Sequence, residues 1–214
     1  MFLQKQEDLD QRPRLHWCTA GEFASLPVHA AGIYKGTDQE CCSDYVVSSY
    51  TPTLTSLLRA RRDLQPVPTA DAKLLLVAAD HAATTKLPAL AKVQAEMSEI
   101  VGIADRTGVQ YAAPSRIVST PEEATAALPS ATLVHIACHG LQHPGQPLES
   151  AFYLSDDGGL SVSNLMELDL KGAYLAFLSA CETAKGDRAQ SDQAIHLAAT
   201  MLFVGFKSVV ATMW

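Results

Sequence analysis

Two apolar runs, each ending in a reactive side chain, constrain this chain more than any other feature. Ala173-Tyr-Leu-Ala-Phe-Leu-Ser-Ala-Cys181 gives way at once to the polar Glu182-Thr-Ala-Lys-Gly186. Upstream, Ala131-Thr-Leu-Val-His-Ile-Ala-Cys-His139 ends in Gly140. Continuous apolar runs of this length are what a parallel sheet buried on both faces requires. In such a sheet, ligands and reacting groups gather beyond the carboxyl ends of the strands. Two neighbouring strands that deliver His139 and Cys181 to one rim would form a cysteine–histidine dyad.

The remaining elements follow the same alternation. Arg14–Cys18 reads as a short strand, Gly21–Gly32 as a turn and a short helix closed by Gly32, residues 35–44 as loop, and Tyr45–Tyr50 as a strand. Leu54, Leu57, Leu58 and Arg61 fall at helical spacing, and Gln65-Pro-Val-Pro-Thr69 then breaks the helix. Lys73–Ala79 predicts a central strand, Leu90, Val93, Met97 and Ile100 one face of a helix, and Arg116–Ser119 a weak strand. Thr120-Pro121 opens a further helix. Ala151–Ser161 reads as a hairpin around Asp157-Gly158, followed by a helix capped by Asn164 with Glu167 three residues on. A buried helix over 192–204, ended by Gly205, precedes a last strand over 208–214. The order β-α-β-α-β-α-β predicts an α/β fold, a mostly parallel sheet with helices on both faces. We expect residues 1–12 to be frayed and 13–214 to form a single domain, with an N-terminal β/α portion at 13–69 and the core sheet at 70–214.

Composition narrows the function classes. With 18% charged residues and a net charge of −7, the chain shows no basic patch of the kind nucleic acid demands. Its densest basic run, Arg59-Ala-Arg-Arg62, is short. No apolar stretch reaches membrane-spanning length, so neither nucleic acid nor membrane is expected as a partner. Five cysteines suit no disulfide framework, which points to a reducing, cytoplasmic setting.

A cysteine nucleophile needs a thiolate, an imidazole within reach and backbone amides for the oxyanion. Gly140 lets the chain approach a substrate, and its N–H is one candidate oxyanion donor, that of Cys181 another. Ser179 and Ala180 are small and keep the floor of such a site open, while Lys185-Gly-Asp187 suits a polar loop beside it. The competing reading is that a strand-end cysteine simply packs. Cys138 is a rival nucleophile whose side chain alternates into the core. His135, His139 and His143 recur every fourth residue, but on a strand His135 and His139 share a face roughly 13 Å apart, too far to chelate one ion. His196 reads as a core histidine. No G-x-S-x-G, P-loop or G-x-G-x-x-G occurs, so serine hydrolase and nucleotide-binding readings have no support.

His-Ile-Ala-Cys-His139-Gly140, Ser150-Ala-Phe-Tyr-Leu-Ser-Asp-Asp-Gly, Leu178-Ser-Ala-Cys181-Glu-Thr-Ala and Gly205-Phe-Lys-Ser-Val-Val-Ala-Thr-Met-Trp214 fall in that order. Together they resemble the CHAT domain, a caspase-like cysteine peptidase domain often attached to tetratricopeptide repeats. Leu26-Pro27 and the segment from Leu87-Pro to Glu96 resemble its upstream half. The resemblance implies a caspase-like three-layer sandwich. It implies a cysteine endopeptidase with His139 as general acid/base and Cys181 as nucleophile, acting through an acyl-enzyme without metal or organic cofactor. A protein or peptide substrate is expected, with a regulatory repeat domain or an activating partner. Relatives continue beyond the strand-final tryptophan, so a C-terminal segment that lines the substrate pocket is expected after Trp214. The alternative is a degenerate or truncated caspase-like interaction module without activity.

Overall fold

The computed structural model describes residues 5, 8, 11–36, 40–62, 64–81, 88–143, 145–154, 158–180 and 197–212. It divides into two compact units, the first with described residues up to Leu57, the second with described residues from Leu58 to Ala180 and from Leu197 to Thr212.

In the first unit β1 (Arg14–Trp17) pairs in parallel with β4 (Val47–Tyr50), and between them β2 (Gly32–Ile33) pairs antiparallel with β3 (Glu40–Cys41). The strands at 14–18 and 45–50 are as expected. The helix over Gly21–Gly32 is not: two 3-10 turns, Gly21–Ser25 and Val28–Ala30, take its place, and Gly32 enters β2. Pro27 between them supplies no N–H, so an α-helical ladder cannot run through. The expected loop at 35–44 contains β3 and a 3-10 turn at Cys42–Asp44, whose Asp44 Oδ2 accepts from Cys41 N at 3.0 Å. The helix α1 (Leu54–Arg61) carries the chain across the division between units.

The second unit is built on one sheet. β5 (Lys73–Ala78) occupies its middle, and α2 (Val93–Thr107) follows. β6 (Gln110–Tyr111) and β7 (Ile117–Val118) both pair with β5 on one side. After α3 (Pro121–Ala127), β8 (Leu133–Ala137) pairs with β5 on the other side. β9 (His139–Leu141), β10 (Ala151–Tyr153) and β11 (Gly159–Ser161) form a separate antiparallel sheet, the predicted hairpin supplying its last two strands. After α4 (Val162–Met166) the chain returns as β12 (Leu175–Leu178) beside β8, and after α5 (Leu197–Phe203) as β13 (Ser208–Ala211) beside β12. The central sheet has six strands, ordered β13-β12-β8-β5-β6 with β7 also on β5, and every pairing is parallel.

Alternation along the strands fills both faces. Leu75, Val77, Val134, Ile136, Ala176 and Leu178 pack against residues of α3, α4, α5 and the three-stranded sheet. Leu76, Ala78 and Ala137 pack against Val93 and Met97 of α2, with Leu90 and Ile100 beside them. The fold is α/β with a mostly parallel central sheet and helices on both faces. Side chains such as Leu76, Ile136 and Phe152 are fully buried, each contributing about 1.5–3 kcal/mol relative to exposure.

Caps define two starts. Thr120 accepts from Glu123 N at 3.3 Å, as expected. For α4 the cap is Ser161 rather than Asn164: Ser161 Oγ accepts from Asn164 N at 3.1 Å, and Asn164 Oδ1 accepts from Ser161 N at 3.0 Å, so the expected cap is the reciprocal partner. Gly205 follows α5 at φ +131°, and a Cβ there would lie 2.6 Å from the Leu170 carbonyl oxygen. Among the described residues no helix is long and apolar enough to cross a membrane.

Candidate functional site

The chain leaves β5 toward β6 on one side and leaves β8 toward β12 on the other. The crevice at the carboxyl ends of β5 and β8 is therefore the topological switch point, where open α/β sheets collect their ligands. His139 lies there. The expectation that one strand runs on to Cys138 and lines up His135 with His139 does not hold: β8 ends at Ala137, the chain bends at Cys138, and His139 starts β9 in the antiparallel sheet. The bend takes His139 off the β8 ladder and beyond the central sheet.

His139 is 7% exposed, and its Nε2 lies 2.9 Å from the carbonyl oxygen of Pro88. A carbonyl only accepts, so Nε2 carries the hydrogen and the neutral ring keeps its free lone pair on Nδ1. Pro88 belongs to the segment that returns from β5. Leu90 N donates to Asp80 O at 2.6 Å, and Gln94 Nε2 donates to Asp80 Oδ2 at 2.9 Å, which folds the β5 exit back onto α2. The Asp80 carboxyl is held below its ordinary range by hydrogen bonds from His81 and then Gln94. The partner of Nε2 is thus a main-chain carbonyl rather than a carboxylate.

The exit of β12 is fixed from three sides. Ser179 N donates to Ile136 O of β8 at 2.8 Å, Ser179 Oγ donates to Glu96 Oε2 of α2 at 3.1 Å, and Thr212 Oγ1 donates to Ala180 O at 3.1 Å. Ser179 thus engages both its N–H and its hydroxyl inside the fold, and Ala180 is buried. Cys181, the next residue in the sequence, lies outside the described residues, as do Asp157, 185–187, His196 and Trp214. Gly140 is buried opposite Phe152 in the β9–β10 pair.

Cys138 packs in the core, its Sγ against His139 O at 3.4 Å, and burial pushes its thiol far above the ordinary range, which unsuits it for nucleophilic attack. His135 instead lies under α2. Its Nε2 is 2.9 Å from Glu96 Oε1, and its ring stacks on Phe177 at 4.9 Å. Burial lowers its pKa below the ordinary value, against an opposing pull from Glu96. No group of three or more His, Cys, Asp or Glu able to hold a metal occurs among the described residues. A groove of about 350 Å³ lined by Arg59, Met166, Leu170, Phe203 and Lys207 lies at the amino ends of β12 and β13, the rim opposite His139.

Sequence reasoning placed Pro88 and Glu96 in a segment of resemblance but gave neither a role. A main-chain carbonyl leaves no residue-type signal, and one glutamate in the first turn of a helix reads as solvated. The CHAT domain family model matches residues 1–214, the whole chain. No curated protein matches the sequence.

Proposed function

The chain belongs to the CHAT domain family, a caspase-like, protease-related family, and from that premise we propose that it is a cysteine endopeptidase in which Cys181 is the nucleophile and His139 its acid–base partner. The observation that carries the reading is the hydrogen bond from His139 Nε2 to the Pro88 carbonyl at the sheet's switch point. It fixes the ring plane and leaves Nδ1 as the nitrogen that exchanges protons.

In the proposed cycle Nδ1 takes the thiol proton of Cys181, and the thiolate attacks the scissile carbonyl carbon. The oxyanion is met by the N–H groups of Gly140 and Cys181. As the C–N bond breaks, Nδ1–H passes its proton to the departing amine, leaving a thioester. Water then attacks the thioester carbonyl while Nδ1 accepts its proton, and the cysteine is released. Burial and the Pro88 carbonyl favour a ring that shuttles a proton without turning. Ser179 and Ala180 contribute small volume beside the nucleophile, the Ser179 donors being engaged elsewhere. The substrate is a protein or peptide, and the free thiols of Cys18, Cys41, Cys42 and Cys138 suit a reducing, cytoplasmic setting.

The test is labelling of the folded protein with a peptidyl electrophile. Wild type is expected to be modified at Cys181, Cys181→Ala not at all, and His139→Ala about 10²–10⁴-fold more slowly. Reaction of Cys181 no faster than a free thiol, whatever occupies position 139, would instead assign the chain to the inactive interaction module.

A further inference from the structure

Glu96 stands in the first turn of α2, and each of its two carboxylate oxygens takes a donor from a different strand segment. Oε1 is 2.9 Å from His135 Nε2 on β8, and Oε2 is 3.1 Å from Ser179 Oγ just past β12. An ionised carboxylate only accepts, so both partners donate. The same two strands are tied again by the stack of His135 on Phe177, the ring planes nearly parallel at 8°.

On α2 Glu96 adjoins Val93 and Met97, which pack with Leu76 and Ala137 of the sheet. A carboxylate brought against such a surface costs stability unless its oxygens are hydrogen-bonded. Its side chain keeps 31% exposure, and the structure gives both oxygens donors. What the arrangement adds over an apolar contact is register. Phe177 lies opposite His135 in the parallel pair, and a slip of one residue would turn Ser179 to the other face and away from Glu96.

Building on the peptidase reading, we propose that Glu96 is a positioning residue whose carboxylate clasps the exit of β12 to β8 and so sets the backbone that carries Cys181 relative to the strand that leads to His139. Glu96 touches no reacting atom. It acts through Ser179, two residues before the nucleophile, and a misplacement of about 1 Å at a reacting group can cost 10²-fold in rate.

The decisive comparison uses Ser179→Ala and Ser179→Thr in the full chain, with Glu96→Gln as a volume-conserving second route. Alanine removes the hydroxyl at almost no change in volume, while threonine keeps the hydroxyl and adds a methyl group. The clasp predicts that Ser179→Ala slows labelling of Cys181 by at least about tenfold with the thermal midpoint little changed. It also predicts that Ser179→Thr restores the rate and that Glu96→Gln slows it too. A residue that only fills space gives the reverse order, alanine tolerated and threonine harmful, and that result overturns the proposal. Hydrogen exchange of a peptide spanning the β12 exit separates the two readings. Slow labelling of wild type together with faster exchange in Ser179→Ala removes the peptidase reading and keeps the clasp. Unchanged exchange and unchanged labelling in Ser179→Ala remove the clasp.

Discussion

His139 and His135 sit four residues apart and serve opposite ends. His139 has left the central sheet and donates from Nε2 to the Pro88 carbonyl, while His135 stays under α2 as a neutral donor to Glu96. The folded protein resists protonating His135, because burial outweighs the pull of Glu96 and lowers its pKa below 6.5. The unfolded chain therefore binds a proton that the folded one refuses as pH falls through that value. This contribution to stability is complete above about pH 6.5 and is lost as pH falls toward the folded pKa. His135→Gln retains an N–H for Glu96 but does not titrate. Urea midpoints measured from about pH 7.5 down to about pH 5 are expected to fall more steeply for wild type than for the variant; parallel curves would remove His135 as the cause. The sequence marks His139 as a histidine before glycine at the end of an apolar run. It left the ring's partner unreadable, because that partner is a peptide carbonyl. Glu96 was hidden differently: its spacing marks it as adjoining the face of Val93 and Met97, and only the packed sheet brings His135 and Ser179 to it.

The parallel strands were the most readable elements. Lys73–Ala78 and Leu133–Ala137 are largely apolar runs because both faces of the sheet are covered there, while Leu175–Leu178 buries Ala176 and Leu178 on one face. Their ends were less readable. Nothing in Ala137-Cys138-His139 announces a bend, since both flanking segments are extended and the change is one of sheet partner. The α4 cap was displaced for a related reason: Ser161 and Asn164 can each cap, and the hairpin strand β11 decides by ending at Ser161. Gly205 was read correctly as the end of α5, and the structure adds a second demand, the approach of Leu170 O. An alanine there meets both a left-handed backbone and a carbonyl at 2.6 Å. Gly205→Ala is expected to destabilise by about 1–3 kcal/mol, seen as a drop of several degrees in the thermal midpoint. A drop of under a degree would mean that the loop after α5 yields without cost.

The two units differ in what holds them. Among the described residues Val46 is the one buried apolar side chain of the first unit, where Phe23, Ile33, Tyr34 and Leu54 are exposed. The second unit contains both core clusters. Hydrogen exchange should follow this division: amides of β1 and β4 are expected to exchange well before those of β5, β8 and β12, because opening free energy tracks buried contacts. Equal protection in both units would show that the first is stabilised by something other than its own apolar burial. The hydrogen bond from His139 to Pro88 has a consequence for inheritance. Every amino acid brings the same carbonyl, so no codon change at position 88 deletes the acceptor. One genetic position, that of His139, encodes the donor, and the acceptor can be lost only when the path of the chain itself changes.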